Sequence, residues 1–189
     1  FDDLLLKTKA TLKKIGITST LELDQEMLHA FNVMKESLNF TTYLHGDICP
    51  DNVFDDPRND IMHVIDFEWG FVGSALLDAT YLRMSMPTCW CVKALPEDVI
   101  EPLEIIYRQE LTKNIPAALD DNLYNESYVC ACAYWVVILL AYGVNDALDE
   151  ELDILNTEFK APHPNWKLEY NVARPRYLHR LQAFIDISD

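Results

Sequence analysis

The sequence predicts an α+β domain that is mostly α, and three observations carry that expectation. Apolar residues recur at helical spacing along most of the chain. One stretch, Thr41 to Ile65, instead carries short β-branched and aromatic runs around a polar turn. Hydrophobic residues make up 50% of the 189 positions, enough for a packed core and too many for a disordered chain. The length suits one domain, or one large lobe of a two-lobed protein.

Taken in order, Asp2 to Ile15 has helix composition, with Leu4, Leu5, Leu12 and Ile15 inward and Lys7, Lys9, Lys13 and Lys14 solvated, and Gly16 ends it. A second helix is expected from Ser19, which forms a Ser-x-x-Glu capping box with Glu22. Its buried face comprises Met27, Leu28, Phe31, Met34 and Leu38. His29 beside that stripe reads as an ordinary polar helix residue. Thr41 to Leu44 reads as a strand. Val53-Phe54 and Ile61 to Ile65 read as two further strands, joined by the turn Asp55-Asp56-Pro57-Arg58-Asn59-Asp60. Helix is expected again over Leu76 to Met86 and, entered through Pro96, over Glu97 to Leu111. Tyr128 to Val144 is apolar all round. It is slightly short for a membrane span and flanked by Glu126 and Asp146, so a buried central helix is expected. An acidic surface helix over Asp146 to Phe159, a loop at Pro162-His163-Pro164 and a last amphipathic helix over Arg174 to Ile187 complete the chain, the last using Tyr177, Leu178, Leu181 and Phe184. No internal repeat is evident.

A net charge of −16, from 31 acids against 15 bases, argues against nucleic acid and against anionic membrane surfaces as partners. The cysteines are Cys49, Cys89, Cys91, Cys130 and Cys132. Their odd number and the lack of a signal peptide point to free thiols in a reducing cytoplasm. Residues two apart on a helix point about 200° away from each other, so each Cys-x-Cys pair reads as buried small side chains rather than a chelate.

The chemistry is concentrated between Leu44 and Asp78. His45-Gly46-Asp47 is followed by Asn52 five positions after the Asp, then by Asp66 and Phe67 at the end of an apolar run. This is the order and spacing of a kinase catalytic loop with its metal-binding Asp. A hairpin over residues 53–65 would hold Asn52 at one end and Asp66 at the other, so that both face one cation. Two oxygen ligands on neighbouring strand ends suit Mg²⁺, which takes the rest of its shell from water and phosphates.

HGDICPDN followed by VIDFEWGFVGSALLD resembles the aminoglycoside phosphotransferase and choline kinase family, small-molecule kinases related to protein kinases. The likeness is close over the motif and loose over the helices that follow, from about Phe40 onward. It implies the C-terminal, catalytic and substrate-binding lobe of a protein-kinase-like fold. Asp47 would be the catalytic base, and Asn52 and Asp66 the ligands of Mg²⁺ and ATP, with GTP open as the donor. His45 and Asp78 would support the loop, and Glu68 would be a substrate or supporting group, or else a solvated acid. Gly73-Ser74-Ala75 stands where the family has Gly-Asp-Pro. No Gly-rich loop or paired strand Lys precedes the motif. The family's N-terminal lobe, on the order of 100 residues, is therefore expected to be missing, and the surface it would cover is expected to favour self-association.

The expected organisation is a single unit over residues 1–189: a helical lead-in (1–40), the catalytic loop and hairpin (41–78) and a helical substrate-binding part (79–189). The expected function is transfer of the ATP γ-phosphate to a hydroxyl of an aminoglycoside-, choline- or homoserine-like small molecule, with scattered acids receiving a cationic substrate. The alternative is a kinase-like binding module without catalysis.

Overall fold

A computed structural model describes residues 2–36, 38–89, 95–143 and 173–188. Cys91, the predicted acidic helix over Asp146 to Phe159 and the Pro162-His163-Pro164 loop lie outside them. Helix α1 (Asp2–Lys14) has acids in its first turn and lysines in its last, matching the helix dipole. Gly16, at φ 82°, closes it: the Gly16 N–H donates to the Lys13 carbonyl at 3.1 Å and the Ile17 N–H to the Leu12 carbonyl at 2.9 Å. The buried face of α1 is Leu4, Thr8, Thr11 and Leu12, while Ile15 is exposed, contrary to the apolar pattern. Thr8 can be inside because its hydroxyl donates to the Leu4 carbonyl at 2.9 Å.

Helix α2 (Leu21–Glu36) starts two residues later than its capping signal suggests. Thr20 is the cap, accepting from the Leu23 N–H at 3.2 Å, while Ser19 bonds Asp24 instead. Met27, Ala30 and Met34 face the core, whereas Leu28 and Leu38 are exposed. The real buried stripe is thus rotated onto a small residue, which lets α2 lie close against the central helix.

The expected hairpin is present, and a second antiparallel pair accompanies it. Strands β2 (Val53–Asp56) and β3 (Ile61–Val64) pair as anticipated, Val53 opposite Val64. Strand β1 (Thr41–Leu44) pairs with β4 (Phe71–Ser74), Thr41 opposite Ser74 and Leu44 opposite Phe71. The Gly73-Ser74 step is therefore strand rather than turn. The two ends of the motif segment meet in that second pair, so the loop between them is held at its base.

Helix α3 (Leu76–Ala79) is one turn long, not the helix to Met86 that its composition suggests. Ser85 and Met86 adopt φ of 53° and 47°, which no α-helix accepts. Their carbonyls are used elsewhere: Arg180 donates from Nε to the Met84 carbonyl and from Nη2 to those of Ser85 and Met86, each at 3.0 Å. Helix α4 (Glu97–Thr112) follows Pro96. Arg83 grips it, with Nε and Nη2 on the two Glu104 oxygens and Nη1 on Glu97, all at 2.7 Å.

Helix α5 (Asp121–Ile138), capped by Asp120 accepting from Leu123, continues as a π-helical turn over Leu139–Gly143. It is the axis of the fold, contacting α1, α2, α3 and the last helix α6 (Ala173–Ser188). Tyr124, Tyr128, Ala131, Cys132, Trp135 and Val137 bury different sides of it. The span Asp121–Tyr142 is long and apolar enough to cross a membrane, and 50% of its apolar window is buried inside the protein. On α6, Leu178 is exposed while Phe184 and Ile187 pack on the core. Phe40, Leu44, Leu76 and Met84 are fully buried, each contributing about 1.5–3 kcal/mol. All four belong to one buried cluster that also includes Cys49 of the motif loop.

Candidate active site

The loop from His45 to Asn52 leaves β1, makes a 3₁₀ turn over Pro50–Asn52 and enters β2. Gly46 sits at φ 81°, and a Cβ there would lie 2.2 Å from the Trp69 carbonyl oxygen, so the position admits only glycine. His45 is buried. Its Nε2 donates to the Ile65 carbonyl at 2.7 Å while Nδ1 accepts from the Asp47 N–H at 3.3 Å. The ring also packs on Phe67, centroids 4.5 Å apart.

Asp47 is half-buried and held on both oxygens. Asn52 Nδ2 donates to the Asp47 carbonyl at 2.8 Å and to Oδ2 at 3.3 Å. The Cys49 thiol donates to Oδ1 at 3.2 Å, and the Thr88 hydroxyl makes a short bond to the same oxygen. Because the Thr88 proton points at Asp47, the Tyr81 hydroxyl, 2.5 Å from Thr88, donates to it in turn. A carboxylate with this many donors is fixed in orientation yet keeps lone pairs for a substrate hydroxyl.

The hairpin brings Asn52 and Asp66 together by backbone pairing: the Ile65 N–H donates to the Asn52 carbonyl at 3.0 Å. Asp66 follows in the left-handed region, φ 67° and ψ 53°, and is exposed. The Asn52 amide nitrogen is committed to Asp47, which leaves its Oδ1 and the Asp66 carboxylate as oxygen donors at one end of the hairpin. This hard-oxygen set fits a magnesium ion that takes its remaining ligands from water and phosphate. Glu68 is exposed on the 3₁₀ turn Phe67–Trp69 and is not among the residues lining the cavity beside Asp47.

Asp78 lies behind the loop and accepts a hydrogen bond from the His45 backbone N–H. Burial pushes its carboxyl up to about 6, and the bond from His45 offsets part of that rise. Burial likewise raises Tyr81 well above the ordinary phenol range, with Cys49 beside it adding to the rise.

A cavity of about 520 Å³ opens beside Asp47, lined by Gly46, Trp69, Phe71, Thr88, Tyr134, Trp135 and Ile138. Asp47 is the one acid among its described lining residues. The aromatic walls and the Thr88 hydroxyl escape a sequence reading. Thr88 is 41 positions from Asp47 and belongs to no local pattern. Trp135 reads as core, which it also is: its Nε1 donates to the Leu77 carbonyl at 3.3 Å and to Thr80 Oγ1, at the C-terminal end of α3, at 3.2 Å.

Compared with known proteins, the chain matches no protein-family model, and no curated protein matches it.

Proposed function

We propose that the protein is an ATP-dependent phosphotransferase acting on a hydroxyl of a small molecule. The observation that carries this reading is the pair of hydrogen bonds that Asn52 Nδ2 donates to the Asp47 carbonyl and carboxylate, at 2.8 and 3.3 Å, at the start of the hairpin that ends in Asp66. Asp47 orients the acceptor hydroxyl and takes its proton. The Asn52 oxygen and the Asp66 carboxylate hold Mg²⁺, which supplies charge neutralisation on the nucleotide phosphates when bound. His45 and Asp78 keep the loop in place. Phosphoryl transfer asks the protein mainly for positioning, and a carboxylate fixed by Thr88, Cys49 and Asn52 supports that requirement.

The resemblance to the aminoglycoside phosphotransferase and choline kinase family belongs to the same reading, as does a C-terminal kinase-like lobe. That fold requires a nucleotide-binding lobe, and the exposed cross-strand pair Tyr43 and Val72, with Met62 and Trp69, offers one an apolar surface. The acceptor is a hydroxyl-bearing amine. Trp69, Phe71, Tyr134 and Trp135 line the cavity, so aromatic faces rather than scattered acids hold its cation.

The test is Mg²⁺-dependent ADP formation by the protein at its natural length, offered a series of amino alcohols. Asp47→Ala is expected to abolish turnover while leaving the helical circular dichroism and melting temperature unchanged. Normal turnover in that variant sinks the assignment. No ADP formation with any acceptor would leave the non-catalytic binding module in its place.

A further inference from the structure

Cys49, Asp51 and Cys89 bring one ligand atom each to within 4.8 Å of one another. We propose that they form a site for a soft divalent cation, with Zn²⁺ as the occupant, separate from the Asn52–Asp66 oxygens and independent of the phosphotransferase reading. The two thiols are forty residues apart, Cys49 on the loop and Cys89 from the Cys89-x-Cys91 pair, so no single Cys-x-Cys pair supplies both.

Both thiols stand on constrained backbone. Cys49 caps the 3₁₀ turn at φ −61° and ψ 150°, with Pro50 fixing the next step. Cys89 ends the turn that Arg180 clamps, its N–H donating to the Met86 carbonyl at 2.9 Å. Cys49 and Cys89 are 4% and 2% exposed, while Asp51 is exposed. A cation can therefore enter past the carboxylate, meet two thiolates beneath it and keep a water in the fourth position. Tetrahedral zinc, with sulfur at about 2.3 Å and oxygen at about 2.0–2.2 Å, holds its ligand atoms roughly 3.5–3.8 Å apart. Side-chain rotation on the order of 1 Å closes the present spacing to that geometry.

The Tyr81 hydroxyl lies 3.4 Å from Cys49 Sγ and, by turning its single proton away from Thr88, can donate to the sulfur once the thiol proton has left. Two sulfurs and one carboxylate select zinc, cadmium or cobalt over Mg²⁺. Binding is an exchange: Zn²⁺ joins two thiolates and the Asp51 carboxylate, and two protons pass to solvent, so affinity rises with pH. It also removes the Cys49 S–H that now donates to Asp47 Oδ1 at 3.2 Å, so occupancy changes the donor set of that carboxylate.

The chelator-stripped, reduced chain would be titrated with Co²⁺ and with Zn²⁺ in excess Mg²⁺, which fills the oxygen site. One Co²⁺ per chain is expected, with near-ultraviolet thiolate-to-cobalt charge transfer of two-thiolate intensity, displaced by one equivalent of Zn²⁺. This readout needs no variant, and its absence overturns the proposal. Cys49→Ser and Cys89→Ser should each weaken zinc binding by more than the roughly 10–100-fold that loss of an outer-shell partner costs. Cys130→Ser should leave binding unchanged. Retention of wild-type affinity in the folded Cys49→Ser/Cys89→Ser double variant would equally overturn it.

Discussion

The imidazole of His45 joins two acids that are nineteen residues apart in the chain: Nε2 donates to the Ile65 carbonyl at 2.7 Å, one residue before Asp66, while Nδ1 accepts from the Asp47 N–H at 3.3 Å. One ring nitrogen gives and the other receives, so a single side chain sets the spacing of loop and hairpin. His45→Ala leaves both backbone groups without their partner, in a partly buried setting. Stability should fall by about 1–3 kcal/mol, read by urea denaturation, and phosphate transfer should fall at least about tenfold. His45→Gln, which can still donate, should recover part of both. An alanine variant as stable and active as the wild type would remove this role.

Asp66 sits at φ 67°, where a residue with a Cβ is strained by about 1–2 kcal/mol. A sequence serving stability alone would place glycine there. Asp66→Gly should therefore be as stable as the wild type, or more stable by up to about 1 kcal/mol, yet lose Mg²⁺-dependent transfer. Thermal unfolding and a magnesium titration of activity separate the two effects. A clear loss of stability with activity intact would show that the aspartate is structural.

Asp78 makes stability pH-dependent. Its carboxyl rises from 3.8 to about 6 on folding, because burial disfavours the charged form more than the His45 N–H favours it. Between those values the folded chain holds a proton that the unfolded chain has released, so stability falls as pH rises through that window and is greatest below it. The loss is on the order of 3 kcal/mol. Asp78→Asn keeps an acceptor for the His45 N–H but cannot ionise. Its stability relative to wild type should be greater at pH 7.5 than at pH 4 by about that amount. Parallel denaturation profiles at the two pH values would contradict this.

Arg180 carries the carbonyls of Met84, Ser85 and Met86, each at 3.0 Å, and so shapes the turn that delivers Thr88 to Asp47. Arg180→Ala strands the buried Met84 and Ser85 carbonyls, while that of Met86 keeps the Cys89 N–H, and should cost about 3–5 kcal/mol. Arg180→Lys keeps the charge but not the planar fork, and should restore only part of it. In the lysine variant the acceptor KM should rise more than kcat falls, because Thr88 lines the cavity. Full rescue by lysine would mean that charge alone suffices.

The polar core of the site was legible because its spacing is local. His45, Asp47 and Asn52 share one loop, and the hairpin that carries Asp66 is announced by its turn, so strand pairing over residues 53–64 follows from neighbouring residues. Helices α1, α2 and α4 were legible for the same reason, each having a cap or an apolar repeat within its own length, whereas α5 was legible only from Tyr128 onward and its first turns, from the Asp120 cap, were missed. The capping residue of α2 and the inward face of α1 were misread because Thr20 competes with Ser19, and Thr8 satisfies its hydroxyl within its own turn.

What the sequence determined by itself is therefore the set of short-range commitments: a mostly helical α+β chain, one hairpin, and an Asp-x4-Asn loop with a second acid at the far end of that hairpin. Tertiary structure alone decided the rest. Strand β4 exists because β1, thirty residues earlier, supplies its hydrogen bonds. The helix expected over Leu76 to Met86 stops after one turn because Arg180, almost a hundred residues later, takes the carbonyls beyond it. Thr88, the aromatic cavity walls and the Cys49–Asp51–Cys89 cluster arise in the same way. Hydrogen-bond and ligand partners far apart in the chain leave no periodicity to read, and only the packed core brings them within reach.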